Sequence, residues 1–188
     1  MGRCGCESSI FRAGQRTPRS VAKKSMATTG VDRLFVDTNI LVYATNEDSP
    51  WQAIAEQTLE TWRGGGTQLC VSVQVLREYL AVTTRPAPSQ ADGPDFVAIA
   101  ENLAEFRQSF LLLEDTLLVS QELESLVQQF SVKGRQVHDA NLIATLRVHG
   151  LRDLLTHNTA DFSRYSSLVT IHPLVPASTA ASVGVAQT

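Results

Sequence analysis

Hydrophobic and polar positions along this chain predict strands and helices in alternation. Short, almost continuous apolar runs predict buried strands at RLFV, TQLCVS, LLLED, DLLTH and SLVTIH. The longer segments between them place apolar residues at helical spacing. Strands buried on both sides and alternating with helices are typical of a parallel sheet covered on both faces. We therefore predict an α/β fold with three layers, α/β/α, around a central, mostly parallel sheet.

The helix signals are of ordinary strength, and several have recognisable ends. One helix is expected from about Asn39, and others in SPWQAIAEQTLETWRGGG, VQVLREYLAVTTR, DFVAIAENLAEFRQSF, TLLVSQELESLVQQFSVKG and RQVHDANLIATLRVHG. Ser72 is a candidate N-cap for the third of these helices. Gly134 and Gly150 are expected to terminate the last two.

The two ends of the chain differ from the middle in composition. Residues 1–30 lack hydrophobic periodicity and are predicted to form a disordered basic tail, residues 31–172 the folded domain, and residues 173–188 a flexible tail of small residues. Met26 offers an alternative start, so residues 1–25 are an upstream extension, a working tail or an organelle transit peptide.

Charge is distributed unevenly along the 188 residues. Residues 1–25 contain six basic residues and one acid, which leaves ten basic and eighteen acidic residues, a net charge of −8, for the rest. A simple nucleic-acid-binding module usually shows the opposite sign. A metal enzyme tolerates an acidic body better, because bound cations neutralise clustered carboxylates.

Cysteine usage and hydropathy favour a cytoplasmic protein. The three cysteines, Cys4, Cys6 and Cys70, form no disulfide framework and no closed zinc site. No apolar run reaches the length of a membrane span, and no secretory hydrophobic region is present.

Four carboxylates follow strand ends or lie on inward helix faces. Asp37 ends the first strand, where α/β proteins bind ligands, although it also suits an N-cap. Glu78 lies beside the apolar stripe of its helix or, alternatively, at the edge of that stripe and in solvent. Asp139 heads an apolar face in a first helical turn, where the helix dipole also favours an anion. Asp161 follows a short strand, in NTADF, and is otherwise a capping acid in a loop.

Convergence of these four acids would create a site for a cation. Carboxylates in close proximity raise one another's pKa, and divalent cations relieve the repulsion. Oxygen ligands suit Mg²⁺ or Mn²⁺ better than zinc. Such ions activate water and stabilise the charge that develops on phosphorus during phosphodiester hydrolysis.

Four segments in this order, FVDTNILVYA, VSVQVLREYL, VHDANLIATLRVHG and LLTHNTADF, resemble the PIN-domain nucleases. In size and layout the chain is similar to VapC-type toxins of toxin–antitoxin pairs, over about residues 33–171. The small-residue pattern after the third acid is looser here, with Asn141 and Leu142 in it.

The resemblance implies a PIN-like fold and cleavage of RNA with Mg²⁺ or Mn²⁺. By position, it makes Asp37, Glu78, Asp139 and Asp161 the catalytic, metal-binding acids. Thr38 and Asn158 match supporting polar positions, and Asn39 is a weaker match. It also implies a homodimer and a cognate antitoxin that occupies the groove.

Other functions stay open at this level. A phosphatase would use Asp37 as nucleophile but needs a second acid where Asn39 stands. An RNA-binding or scaffold domain with a decayed site, or an RNA-processing nuclease without an antitoxin, would share the fold. Candidate phosphate contacts are Arg77, Arg85, Lys133 and Arg135. Trp51 and Trp62 are expected in the core or a dimer face, with stacking on RNA bases as the alternative.

Overall fold

The computed structural model describes residues 31–86 and 93–175. The predicted tails over residues 1–30 and beyond residue 175 lie outside the described part. Its strands are β1 (Arg33–Val36), β2 (Gln68–Ser72), β3 (Leu111–Leu113), β4 (Asp153–Thr156) and β5 (Thr170–Pro173). Its α-helices are α1 (Thr38–Thr45), α2 (Gln52–Gly64), α3 (Val73–Thr83), α4 (Phe96–Ser109), α5 (Leu117–Gln129), α6 (Gln136–Val148) and α7 (Thr159–Phe162), the last followed by a 3₁₀ turn, Ser163–Tyr165.

The central sheet has the strand order β3-β2-β1-β4-β5, and all neighbouring strands are parallel. The three-layer α/β/α prediction is confirmed. From β1 the chain builds outward through β2 and β3, and then returns to the other side of β1 with β4 and β5. The order therefore reverses between β1 and β4, and α/β proteins bind ligands beyond the carboxyl ends of the strands at such a point.

The core explains why the apolar runs form the central strands. Leu34, Phe35 and Val36 of β1 are fully buried, as is Leu154 of β4. Burial of each such side chain contributes roughly 1.5–3 kcal/mol relative to exposure. Ser72 caps α3 as predicted, because its Oγ accepts a hydrogen bond from the Val75 amide at 3.3 Å. No helix in the described residues is both long and apolar enough to cross a membrane.

Two helix ends follow the same geometry with different residues. At the end of α6 the Leu151 amide donates to the Leu146 carbonyl at 2.8 Å, around Gly150 with a φ of 70°. At the end of α5 the Val132 amide donates to the Val127 carbonyl at 3.1 Å, around Ser131 with a φ of 50°. Both are Schellman ends. The prediction that α5 extends to Gly134 was wrong, because Ser131 takes the left-handed position that glycine usually occupies.

The chain after β4 is more regular than its sequence suggested. NTADF, expected as a loop, forms the short helix α7. The last strand begins at Thr170 and includes Pro173, and the Leu174 amide donates to the Thr156 carbonyl at 3.0 Å. Leu174 is also buried, so the packed chain continues past residue 172, where the folded domain was expected to end.

Candidate active site

A cavity of about 420 Å³ opens at the carboxyl ends of β1 and β4, where the strand order reverses. Three of the four predicted acids, Asp37, Glu78 and Asp139, line it. The remaining lining residues are Thr38, Asn39, Val42, Tyr43, Ala81, Val82, Arg85, His138, Leu142, Asn158 and Phe162. The structure thus brings together carboxylates from β1–α1, α3 and α6.

Asp37 is the most deeply placed of these acids, with 6% of its surface exposed. It occupies the N-cap position of α1, but its carboxylate makes no N-capping hydrogen bond. Instead its Oδ2 accepts hydrogen bonds from Thr156 Oγ1 and Asn39 Nδ2, both at 2.6 Å. Burial raises the pKa of Asp37 to about 6 from 3.8, against the hydrogen bonds from Thr156 and the Thr38 amide and assisted by repulsion from Glu78 and Asp139.

Thr156, at the end of β4, organises this corner, and the sequence analysis did not single it out. Its hydroxyl donates to Asp37 and accepts from Asn39 Nδ2 at 3.2 Å and from the Asn158 amide at 3.0 Å. Asn39 Oδ1 accepts from the His157 amide at 3.1 Å. The sequence did contain a signal for Thr156, because it stands at the carboxyl end of a predicted strand and two residues before Asn158.

Glu78 turns its carboxylate into the cavity rather than lying at a solvated helix edge. Its Oε2 accepts a hydrogen bond from Thr38 Oγ1 at 2.9 Å, and its Oε1 accepts one from Gln74 Nε2 at 2.6 Å. The side chain is 32% exposed, and His138 Nδ1 lies 3.8 Å from Oε1. Thr38, expected in a supporting position, therefore contacts Glu78 directly.

Asp139 lies in the first turn of α6 and is half-buried. The pKa of Asp139 is raised to about 6, chiefly by burial and then by the neighbouring charges of Asp161 and Glu78, while His138 and Arg164 act in the opposite direction. Asp161, on α7, is exposed and does not line the cavity. Of the four predicted acids it is the one that the structure leaves outside, although its charge reaches Asp139.

The carboxylates form an open arrangement rather than a closed coordination cage. Among the described residues, no three His, Cys, Asp or Glu side chains stand close enough together to hold an ion as they are. Mg²⁺ commonly uses one or two carboxylates and retains several waters. Burial is the main cause of the raised pKa values of Asp37 and Asp139, and repulsion between the acids adds to it. A divalent cation would counter both effects by favouring the ionised carboxylates. The donor set fits such a cation.

The candidate phosphate contacts separate into different places. Arg85 is exposed and lines the cavity. Arg77 pairs with Asp115 at 3.2 Å, and neither residue lines the cavity. Lys133 and Arg135 are exposed and do not line the cavity either. Arg85 is therefore the candidate best placed to meet a phosphate beside the acids.

The two tryptophans pack partly against the core. Trp51 contacts His157 with ring centroids 4.4 Å apart, and Tyr43, which lines the cavity, lies 5.4 Å from His157. Trp62 packs edge-on against His172 at 5.1 Å. Trp51 thus packs against His157, which lies between Thr156 and Asn158 in the sequence.

Comparison with known proteins gives a consistent result. The family model described as PIN domain matches residues 34–168. Ribonuclease VapC24 of Mycobacterium tuberculosis is 31% identical over 138 residues, which cover 70% of this chain and 90% of that protein. A toxin-antitoxin complex from Klebsiella pneumoniae matches with a TM-score of 0.53 and 23% identity, over 73% of this chain and 96% of that chain. VapBC2 from Rickettsia felis, bound to a DNA fragment from its promoter, matches with a TM-score of 0.56 and 17% identity, over 75% and 98% of the two chains.

Proposed function

This chain belongs to the PIN-domain family, and on that basis we propose that it is a VapC-type ribonuclease, the toxin of a VapBC toxin–antitoxin pair. It hydrolyses phosphodiester bonds of RNA with the help of Mg²⁺ or Mn²⁺. The observation that supports this most strongly is the meeting of Asp37, Glu78 and Asp139 in one cavity. That meeting is informative because the three acids lie far apart in the sequence and come from three separate elements.

In this proposal the three cavity acids would hold the cation, and Asp161, outside the cavity, would assist through its negative charge near Asp139. When bound, the cation would activate a water and stabilise negative charge on the phosphate. The chain's own residues preorganise the acids: Thr156 and Asn39 fix Asp37, and Thr38 fixes Glu78. Such fixed orientation lowers the reorganisation that the reaction requires.

Two further residues face the RNA in this proposal. Arg85 contacts a phosphate beside the acids, because it is the arginine that lines the cavity. The backbone amide of Asn158 donates to Thr156 and fixes the position of this residue. In the proposal the Asn158 side chain orients a water or a substrate oxygen. Neither residue touches Asp37 directly through a hydrogen bond in the described part of the chain.

The partners follow from the family and its relatives. We propose an antitoxin that covers the cavity, a homodimer and a cytoplasmic location. The relative at 31% identity is a ribonuclease VapC, and solved toxin-antitoxin complexes share this fold. A short reading frame directly upstream in the genome, whose product binds this protein and blocks cleavage, is the expected finding. Cleavage without any such partner would favour an RNA-processing nuclease.

The decisive experiment measures metal binding and RNA cleavage on the same purified protein. Calorimetric titration with Mn²⁺ should show saturable binding, and a chelator should stop cleavage that added Mg²⁺ or Mn²⁺ restores. Saturable binding that disappears in Asp139→Ala, together with loss of cleavage, supports the proposal. Absence of saturable binding in the wild type points instead to an RNA-binding or scaffold domain.

The phosphatase alternative loses support from the geometry of Asn39. Its amide donates to Asp37 at the position where a second acid would have to transfer a proton. An amide cannot act as that general acid. A phosphorylated Asp37 intermediate, detected by mass spectrometry after incubation with a phosphomonoester, would reverse this conclusion.

A further inference from the structure

Gln74 is a buried side-chain amide that joins the two helices bearing Glu78 and Asp139. It lies on α3, with 5% of its surface exposed. Its Nε2 donates to Glu78 Oε1 at 2.6 Å and to the His138 carbonyl at 3.0 Å. Its Oε1 accepts from Asn141 Nδ2 at 2.6 Å. This one amide thus contacts a cavity carboxylate on its own helix. On α6 it contacts one residue that precedes Asp139 in the sequence and one that follows it.

These partners leave Gln74 a single favourable orientation. An amide has two N–H donors and one carbonyl oxygen, and all three groups are engaged. A flipped amide would direct its oxygen at a carboxylate and a carbonyl, and its NH₂ at the NH₂ of Asn141. In a buried position such unpaired contacts are costly. Asn141, the His138 carbonyl and Glu78 itself therefore act together to orient Gln74 as a donor to Glu78.

Asn141 also accounts for a departure seen in the sequence. The small-residue pattern after the third acid is interrupted by Asn141, and this side chain supplies the bond that orients Gln74. The Gln74 amide then lies one helical turn before Glu78, the spacing at which two side chains on a helix meet. The two residues act as one polar bridge, which we call the Gln74–Asn141 bridge.

We propose that Gln74, oriented by Asn141, is a positioning residue that holds the Glu78 carboxylate toward α6 so that Glu78 and Asp139 act on one cation. The proposal rests on the metal-dependent function proposed above. Thr38 holds the other oxygen of Glu78, so the bridge sets the direction of the carboxylate rather than its presence in the cavity. Loss of such an outer partner typically weakens metal binding by about 10–100-fold.

The test replaces the amide by an apolar side chain of similar length, Gln74→Met. The matched control is Gln121→Met, at an exposed glutamine of α5 outside the cavity. Calorimetry with Mn²⁺ should show affinity reduced at least about tenfold in Gln74→Met and unchanged in Gln121→Met. Asn141→Ala should weaken binding in the same direction but less, because Gln74 remains and loses only one of the three partners that orient it. The Asn141→Ala variant also tests the proposal if Gln74→Met fails to fold.

A crystal structure of metal-free Gln74→Met, or of Asn141→Ala, provides a second readout. The Glu78 carboxylate should turn away from α6 or occupy more than one conformer, while Asp37 stays in place on Thr156. A single, wild-type conformer of Glu78 in the variant would overturn the proposal, as would wild-type Mn²⁺ affinity in folded Gln74→Met. A purely structural role predicts lower thermal stability with both readouts unchanged.

Failure of this proposal is distinguishable from failure of the proposed function. A wild-type protein without saturable Mn²⁺ binding refutes the metal-dependent function, yet the conformation of Glu78 in the metal-free variant still tests the bridge. A wild type that binds Mn²⁺ and a variant that binds it equally well refute only the bridge.

Discussion

The two ends of the same parallel sheet carry cavities of similar size but different electrostatic character. The cavity at the carboxyl ends of β1 and β4 measures about 420 Å³, and the other, at the amino ends of β4 and β5, about 470 Å³. At the amino end, Glu122 and Arg147 both line the cavity and form an ion pair with each other, and the exposed Arg152 also lines it. At the carboxyl end, the three acids Asp37, Glu78 and Asp139 line one cavity.

This difference shows that cavity volume alone does not identify the functional site of this protein. A charge that is already paired gains little from a ligand, whereas repelling carboxylates gain from a cation. The raised pKa values of Asp37 and Asp139 arise chiefly from burial, with repulsion between the acids as a smaller contribution, and both penalise the ionised carboxylates. Perturbed carboxylates that converge in a cleft at the strand ends are what functional sites in α/β proteins show. The predictions below test this contrast, beginning with the largest expected effect.

Removal of one acid should separate the two ends most clearly. Asp37→Ala or Asp139→Ala should lower the rate of RNA cleavage by more than about a thousandfold with the fold intact, because a preorganised charge at the reaction is lost. Glu122→Ala, at the paired cavity, should cleave at close to the wild-type rate. The measurement is the initial cleavage rate at an Mn²⁺ concentration that saturates the wild type, with circular dichroism as the check on folding. Wild-type cleavage by Asp139→Ala would refute the assignment.

The unrelieved charge should also appear as a pH-dependent stability. The folded protein holds the Asp37 proton more tightly than the unfolded chain does, since its pKa is raised to about 6 from 3.8. The free energy of unfolding of the metal-free protein should therefore fall as pH rises from about 4 to about 6 and then level off. A shift of two pKa units corresponds to about 3 kcal/mol.

Asp37→Asn isolates this contribution. In a chelator the variant should be more stable than the wild type at pH 8, by up to about 3 kcal/mol, and nearly equal to it at pH 4. Urea denaturation at both pH values measures the difference. Asp48→Asn, at an exposed position, serves as control. Equal stability of Asp37→Asn and wild type at pH 8 would mean that burial does not penalise the Asp37 charge.

A smaller effect is expected at Thr156. Thr156→Val removes the hydroxyl that donates to Asp37 and accepts from Asn39 and Asn158. Cleavage should fall by about 10–100-fold, as for outer partners of ligating carboxylates. Thr156→Ser keeps the hydroxyl and should retain most activity. If the valine and serine variants cleave at the same rate, the hydroxyl does not orient Asp37.

The smallest effect belongs to the paired cavity. Arg147→Met breaks the ion pair with Glu122. The Arg147 side chain is 40% exposed and that of Glu122 is 25% exposed. Solvent screening limits the cost to about 1 kcal/mol or less, and RNA cleavage should not change. Urea denaturation and cleavage assays on the same preparation measure both quantities. A large loss of cleavage in this variant would show that the two ends of the sheet are coupled.

Local patterns in the sequence were sufficient for most of the fold. Apolar runs such as RLFV predicted the strands, and Ser72 and Gly150 predicted helix ends that the structure confirms. The end of α5 escaped prediction because Ser131 adopts a backbone conformation that its residue type rarely takes. The short helix α7 escaped it because one turn offers no periodicity to detect.

By itself, the sequence determined the order of strands and helices, the four candidate acids and, through the resemblance, the family. Only the tertiary structure decided which acids converge and what holds them. It left Asp161 outside the cavity, joined Thr156 to Asp37 across 119 positions, and linked Asn141 to Gln74 across 67. The physical reason is range: secondary structure follows from neighbours within a few residues, whereas a site is built by hydrogen bonds and repulsions between groups that only packing brings together.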